Sequence, residues 1–121
     1  MYCRSCRKWF PNNILFCDIC GKPLVKDLDI YGENFFNGDV QAFDYIYQNS
    51  YNWVAGEVRK MFSANSSEVE DCVQEIYLLL YRKIKYYDPR QGSFSAWFNA
   101  LVRNRIYDYG RKLAGNRHPL Q

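Results

Sequence analysis

Residues 68–112, with the sequence EVEDCVQEIYLLLYRKIKYYDPRQGSFSAWFNALVRNRIYDYGRK, decide the fold of this chain. The stretch divides into two amphipathic helices, 68–87 and 93–112, and the DPRQG between them contains proline and glycine, which end helices. In the first helix the apolar residues recur at the spacing of a core-facing helix: Val69, Val73, Ile76, Leu80 and Ile84. In the second helix the core-facing residues are Phe94, Phe98, Leu101, Val102 and Tyr109. The pattern predicts a helical hairpin that buries one side of each helix.

The outward side of the first helix has mixed charge around one leucine. Its members are Asp71, Gln74, Glu75, Leu78 and Arg82. A leucine in the middle of a charged stripe buries nothing within its own domain, so this side predicts a docking surface for another protein. The alternative is an ordinary solvated helix face.

The outward side of the second helix combines cations, an amide and an aromatic ring. The residues that line up there are Asn99, Arg103, Tyr107 and Arg111. Such a mixture suits nucleic acid, and the stretch 103–117 has five basic residues against one acid, which adds a local positive field. Arg105 falls on the core side of this helix; a pairing with Asp108 three residues on, or a bend in the helix, would account for it.

Two CxxC pairs lie at the N-terminal end, ten residues apart. They contain Cys3, Cys6, Cys17 and Cys20. Paired CxxC turns that fold together offer Zn²⁺ four thiolates and leave no open coordination position, so we predict one structural zinc ion in a small ribbon. A disulfide pair or a redox CxxC is the competing interpretation. A ribbon of this size cannot bury a core alone, so metal binding and folding are expected to be one event.

The pattern divides the chain into four parts: a zinc ribbon at 1–24, a linker at 25–37, a helical domain at 38–113 and a tail at 114–121. Asp39 is a plausible N-cap for the first helix of that domain, and a second helical segment is expected from about residue 51 to 62. Four large apolar residues of the ribbon are expected to pack it together and to contact the next domain: Trp9, Phe10, Leu15 and Phe16.

Composition narrows the class of protein. The chain has 121 residues, a formal charge of +3 and 18% aromatic residues, more than a core of this size needs, so some rings are expected to face a partner. No apolar run approaches the roughly 20 residues that span a bilayer, and no signal peptide is visible, which predicts a cytoplasmic protein that does not bind membranes. The only histidine is His118, and no catalytic set is apparent, so we predict that the chain is not an enzyme.

Four short motifs in order resemble region 2 of the bacterial sigma-70 family, nearest the extracytoplasmic-function type, over residues 36–112. The pieces are GD..AF from Gly38, D.VQE from Asp71, GSF.AW from Gly92 and RN...D from Arg103. The resemblance implies a sigma region 2-like bundle of three to four helices. With the four-cysteine zinc ribbon predicted from the CxxC spacing before it, the expected fold is mostly α.

The resemblance also implies partners. Members of the family bind core RNA polymerase through a coiled coil of its largest subunit, and the matching positions here are Asp71, Gln74, Glu75, Leu78 and Arg82. Members also bind promoter DNA at the −10 element and hold the melted non-template strand. The corresponding residues here are Trp97, Asn99, Arg103, Asn104, Tyr107 and Arg111. Trp97 is either a ring on which unpaired bases stack or a part of the core.

The sequence differs from the family pattern because it ends after region 2, without the region 4 that reads the −35 element. The expected function is therefore a sigma-like initiation protein in which the ribbon or a second protein replaces region 4, or a truncated, divided or decoy sigma. The alternative is a zinc-ribbon adaptor or regulator that occupies RNA polymerase or another protein without recognising a promoter. A ridge at Arg103, Tyr107 and Arg111 that is open to solvent and contiguous with Trp97 favours DNA binding, whereas a ridge covered by the ribbon favours the adaptor.

Overall fold

The computed structural model describes residues 1–62 and 66–117 and is mostly helical. A two-stranded antiparallel sheet comes first, with β1 at Tyr2–Cys3 and β2 at Lys8–Trp9. Four helices follow: α1 at Asp27–Phe36, α2 at Gln41–Phe62, α3 at Ser66–Lys83 and α4 at Phe94–Arg117. A 3₁₀ turn at Ile84–Tyr86 continues α3. The predicted fold class is confirmed, and α4 includes the first residues of the predicted tail, whereas His118 lies outside the described residues.

The core of the helical domain lies where α2, α3 and α4 meet. The side chains that are completely or almost completely buried there are Ile46, Val54, Val58, Val73, Ile76, Leu80, Phe94, Phe98 and Val102. Those of α3 and α4 belong to the predicted apolar sides of the hairpin. Each such side chain contributes about 1.5–3 kcal/mol by leaving water, so their periodic spacing is enough to specify the hairpin.

Helix α2 is one continuous helix of 22 residues, so the prediction of two separate segments was wrong. Ser50 lies where the two segments were expected to separate, but its hydroxyl donates to the carbonyl oxygen of Ile46 at 2.5 Å and lies 2.6 Å from the Tyr77 hydroxyl. Because this polar group is satisfied inside the core, the helix continues through it. At the start of α2 the Gln41 amide donates to the Asp39 carboxylate at 3.1 Å, which confirms the predicted N-cap.

The segment predicted as a linker, residues 25–37, forms helix α1 and packs into the core. Ile30 and Phe35 are buried, and Gly32 lies against the ring of Phe94 in α4. The prediction of a linker was wrong. Asp27, Asp29 and the central Gly32 are residues typical of loops, and they concealed the five apolar or aromatic residues among the ten of α1. The bounds of the ribbon, the helical domain and the tail stay predictions.

Helix α1 also holds the beginning of α4. Ser93 is the N-cap of α4, since its hydroxyl accepts from the Ala96 amide at 3.2 Å. The buried carboxylate of Asp29 accepts from both the backbone amide of Ser95, at 2.7 Å, and its hydroxyl, at 2.5 Å. Two donors of the first turn of α4, which have no partner within the helix, are thereby satisfied by α1.

We expect Gly32→Ala to destabilise the protein, because a methyl group at position 32 would overlap the ring of Phe94. The expected loss is about 2 kcal/mol in the free energy of unfolding, measured by denaturant titration. Gly56→Ala is the matched control: Gly56 lies within α2, a Cβ there would meet no atom within 4 Å, and the change should stabilise the helix by about 0.5–1 kcal/mol. Equal effects of the two substitutions would contradict the close packing of α1 on α4.

Burial raises the pKa of Tyr77 from its ordinary value near 10 to about 12. The folded protein therefore favours the neutral phenol. As pH rises from about 10 to about 12, the Tyr77 phenol ionises in the unfolded chain before it ionises in the folded protein. The stability that the neutral phenol contributes is therefore complete below pH 10 and is lost across that window. Relative to Tyr77→Phe, the native protein should lose up to about 2 kcal/mol of its free energy of unfolding there. Tyr86→Phe, at an exposed ring, is the control; an identical pH profile for Tyr77→Phe and the native protein would refute the prediction.

Candidate functional site

The four paired cysteines come together at the N-terminal end. Their sulfur atoms all lie within 4.8 Å of one another, with 3.6 Å between Cys3 and Cys20 and 3.7 Å between Cys6 and Cys17. Four sulfurs held tetrahedrally at about 2.3 Å from a zinc ion are about 3.8 Å apart, so the two short distances fit such an ion. The predicted ligands therefore form a cluster that could hold a metal ion.

Each CxxC pair forms the same tight turn, which orients its sulfurs. The Cys6 amide points at the Cys3 sulfur and the Ile19 amide at the Cys17 sulfur, both at 3.4 Å. The turns close when the Arg7 amide donates to the Cys3 carbonyl oxygen at 2.8 Å and the Gly21 amide to the Cys17 carbonyl oxygen at 2.9 Å. The backbone therefore fixes the positions of the sulfurs.

The cluster favours ionisation of some of its thiols and opposes that of others. A hydrogen bond with Cys20, together with burial, raises the pKa of Cys6 to about 12. Burial opposes ionisation of Cys17, but the backbone amides of Cys20 and Ile19 outweigh it and lower the pKa of Cys17 to about 7. Four neighbouring thiolates repel one another, so a bound cation is what allows all four to ionise together.

The ribbon, residues 1–24, packs against α1. The Arg4 guanidinium donates to both carboxylate oxygens of Glu33, at 2.8 and 2.5 Å, and the Trp9 ring stacks on Tyr31 at 5.7 Å between centroids. Tyr2 pairs with Val25 through two backbone hydrogen bonds of 2.8 Å. Trp9 thus contacts α1, which lies in the segment that was predicted to be a linker.

Two of the four apolar ribbon residues were predicted wrongly. Phe10 packs in the small ribbon core, but Leu15 is 64% exposed and Phe16 is 60% exposed. Ile14 packs against the buried cysteines in their place. The cysteines themselves fill most of this small core, so there is no room for every apolar side chain of the connecting segment.

Most of the predicted docking face on α3 is open to solvent. Asp71, Gln74 and Arg82 are exposed, and Leu78 is 56% exposed. Glu75 differs from the others because its carboxylate forms an ion pair with Arg105 of α4. This pair replaces the expected contact between Arg105 and Asp108, and it explains why an arginine lies on the inward side of α4.

The outward side of α4 is also open, and the ribbon does not cover it. Arg103, Asn104, Tyr107 and Arg111 are exposed, whereas Asn99 is partly buried. The Arg103 Nε donates to the Asn99 side-chain oxygen at 3.1 Å, and the Arg111 guanidinium lies 5.1 Å from the centre of the Tyr107 ring. Arg111 also pairs with Asp108 at 2.7 Å. The predicted ridge of cations and rings is therefore preorganised.

Trp97 lies on the other side of α4 from this ridge. It is partly buried, 5.5 Å from the Tyr87 ring and 6.0 Å from the Phe94 ring, and with Asn104 it lines a cleft of about 600 Å³ toward α3. Asn99 and Arg103 line a separate groove toward α2. The six predicted DNA-binding residues thus occupy two sides of α4, which meet at the small residues Ser93 and Ala96.

Each of these two grooves includes an aromatic residue that the sequence analysis did not single out. Tyr86 lines the cleft beside Trp97, with the ammonium groups of Lys83 and Lys85 at 5.2 and 5.3 Å from its ring. Trp53 of α2 lines the groove beside Arg103. The two lysines directly before the tyrosines in KIKYY were a usable signal for Tyr86, whereas the position of Trp53 depends on how α2 packs against α4.

Among the described residues, no helix combines the length and apolar character needed to cross a lipid bilayer.

Comparison with known proteins identifies the helical hairpin. Residues 46–115 match the family described as Sigma-70 region 2. The chain belongs to the sigma-70 region 2 family. The predicted resemblance is thereby confirmed for the helical part of this sigma region 2 chain, from α2 to α4, whereas the ribbon and α1 precede the matched residues.

Named relatives agree with this assignment. The chain is 33% identical over 85 residues to an ECF RNA polymerase sigma factor SigK of Mycobacterium sp. (strain KMS), covering 70% of this chain and 44% of the relative. It is 31% identical over 74 residues to the ECF RNA polymerase sigma factor RpoE of Cereibacter sphaeroides, covering 61% and 40%. The sigma region 2 chain thus spans less than half the length of these relatives. No solved structure matches it.

We expect the purified sigma region 2 chain to contain one metal ion per molecule, measured by elemental analysis, and to lose it to a chelator. Cys17→Ser should abolish stoichiometric metal binding because it removes one of the four sulfurs. Cys72→Ala is the control, since Cys72 is buried in the helical core and its replacement should leave the metal in place. Full metal content in Cys17→Ser, or a metal-free native protein under reducing conditions, would contradict the site.

Proposed function

We propose that this chain binds core RNA polymerase and holds promoter DNA at the −10 element as a sigma-like initiation protein. The observation that supports it most is that the family match falls on a hairpin with two solvent-open outward sides of different chemistry. The relatives are named as RNA polymerase sigma factors, which supports the proposed contact with RNA polymerase.

The polymerase contact is proposed on α3. Leu78 is a half-exposed apolar anchor, and Asp71, Gln74 and Arg82 surround it with groups that can pair across an interface. A coiled coil of the largest polymerase subunit with a basic surface would complement the acids. Apolar anchors of this kind dominate binding energy, and the charged rim governs association rate and specificity. Glu75 contributes indirectly, because its pair with Arg105 holds α3 and α4 together.

The DNA contact is proposed on α4. Arg103 and Arg111 would meet phosphates, and Tyr107 and Trp97 would each offer a ring to an unpaired base of the melted non-template strand. Stacking of one base on one ring contributes on the order of 1–3 kcal/mol. Because Trp97 and Tyr107 lie on different sides of α4, a single strand would cross the helix near Ser93 and Ala96, where small side chains let it approach closely.

Zinc is the metal proposed for the ribbon. A set of four thiolates without an open position is the donor set of structural zinc sites, and it leaves no site for a catalytic water. The ion would hold the two CxxC turns in register and so fix the surface through which the ribbon packs on α1. The role proposed for it is structural.

The adaptor function is less well supported. If the chain were an adaptor, the ribbon would be expected to cover the ridge of Arg103, Tyr107 and Arg111. The ribbon packs on α1 instead, and the ridge is exposed. The ridge is open, as DNA binding requires, although Trp97 lies on another side of α4 and is not contiguous with it. The open ridge is the observation that favours the DNA-binding function.

We expect Leu78→Ala to weaken binding to core RNA polymerase by at least about five-fold, because it removes the apolar anchor while the helix remains intact. The matched control is Leu15→Ala, the same change at an equally exposed leucine of the ribbon. Substitutions of Glu75 are unsuitable, because they also break the pair between α3 and α4. Binding is measured by surface plasmon resonance on immobilised core polymerase, and thermal unfolding confirms that both variants fold.

The same proteins decide the function in transcription assays. Core polymerase with this chain should start transcription from a subset of supercoiled promoters, and Leu78→Ala should reduce the yield while Leu15→Ala does not. Polymerase binding without any start site would leave only the adaptor function. Equal binding of both variants to polymerase would remove the α3 face from the interface.

A further inference from the structure

The first CxxC turn contains a residue in a costly backbone conformation. Arg7 has φ of +56°, in the left-handed region, and Gly21 occupies the equivalent place in the second turn with φ of +73°. Both residues donate the amide that closes their turn. Glycine adopts this conformation without an energetic cost, whereas an arginine adopts it only at a cost, because its Cβ atom crowds the backbone. Because the second turn closes with a glycine, the turn itself does not require an arginine at position 7. The Arg7 side chain is therefore a candidate for a binding role.

The Arg7 side chain borders a groove of about 370 Å³ between the ribbon and α1. The other residues that matter there are Arg4, Trp9, Glu33, Asn34 and Asn37. Arg4 and Glu33 neutralise each other through two hydrogen bonds. Within residues 1–62 and 66–117, Arg7 has no ion pair and the side-chain amides of Asn34 and Asn37 have no hydrogen-bond partner. The groove thus presents one unpaired guanidinium group and two free amides.

These groups fit the phosphates of a nucleic-acid backbone. A guanidinium group and amide N–H groups are donors for phosphate oxygens, and the exposed Lys8 beside Arg7 adds a second positive charge. Unpaired bases would need a free ring face, but Trp9 is already in contact with Tyr2 at 4.7 Å and stacked on Tyr31. The groove is therefore suited to a strand whose bases are paired.

We infer that the groove between the ribbon and α1 binds the sugar–phosphate backbone of duplex DNA, with Arg7 as the principal contact. This inference rests on the proposed function, because a protein that holds a melted segment meets duplex DNA at the edges of that segment. The ribbon would then extend the DNA contact beyond the residues that match the family.

The test uses the metal-loaded full chain and fluorescence anisotropy with two kinds of probe. One is a single strand of about 10 nucleotides with a −10-like sequence, and the other is the same strand joined to a duplex of about 12 base pairs at either end in turn. The variants are Arg7→Gly, which removes both the side chain and the strained conformation, and Arg7→Lys, which keeps the charge. Arg59→Gln removes one charge from an exposed position of α2 as the control, and Arg103→Gln reports on the α4 site.

The native protein should bind one of the joined probes more tightly than the single strand. Arg7→Gly should weaken binding to that joined probe by roughly three- to ten-fold, without changing single-strand binding. The slope of log affinity against log salt concentration should fall by about 0.9 per lost phosphate contact. Arg7→Lys should keep most of the tighter binding to the joined probe, and Arg59→Gln should keep all of it. The thermal midpoint of Arg7→Gly should equal or exceed that of the native protein, since glycine relieves the backbone.

The outcomes separate the two proposals. If Arg103→Gln weakens single-strand binding but Arg7→Gly leaves the joined probes unaffected, the groove is rejected and the proposed function stands. Equal losses on all probes, or a lower thermal midpoint for Arg7→Gly, would assign Arg7 a structural role and overturn the inference. Weaker binding of Arg7→Gly to core polymerase, with unchanged DNA binding, would assign the groove to an acidic protein surface instead. A native protein that binds neither probe would reject both proposals.

Discussion

The contact between Gly32 and Phe94 is the constraint on which the rest of the helical domain depends. Phe94 is fully buried at the first position of α4, and the space for its ring exists because residue 32 has no side chain. Three residues before the glycine, Asp29 holds the amide and hydroxyl of Ser95. Together these contacts fix where α4 begins, and they thereby fix Trp97 one turn later and the preceding loop, whose Gly92 carbonyl oxygen accepts from Tyr87 at 3.0 Å.

A charged pair fixes the spacing between the two outward sides of the hairpin. Glu75 of α3 and Arg105 of α4 are both partly buried, and the Nε of Arg105 is buried without a hydrogen-bond partner among the described residues. Removing one member of such a pair leaves the other charge poorly solvated, which costs more than the pair itself contributes. The pair thus connects the outward side of α3 to the inward side of α4, and a substitution of either Glu75 or Arg105 is expected to disturb both helices.

The hairpin could be predicted from sequence because its information is local. Val73, Ile76 and Leu80 repeat at helical spacing, and the CxxC spacing alone brings four sulfurs together. What could not be predicted depends on distant contacts. Arg105 finds its partner 30 residues earlier, and helix α1 is specified by the ring of Phe94, 62 residues beyond Gly32. Exposure of Leu15 follows from the small volume of the ribbon core, which periodicity does not reveal.

The ribbon and α1 each lack the means to be stable alone. The ribbon has three buried residues in its core, two of them cysteines, and α1 has ten residues, which is too short for an isolated helix in water. Arg4 and Trp9 connect the ribbon to α1, and Asp29 and Gly32 connect α1 to α4. A metal ion that orders the CxxC turns therefore also orders the residues that hold α1. Although the family match begins only at residue 46, the start of α4 depends on a helix that the ribbon helps to keep in place.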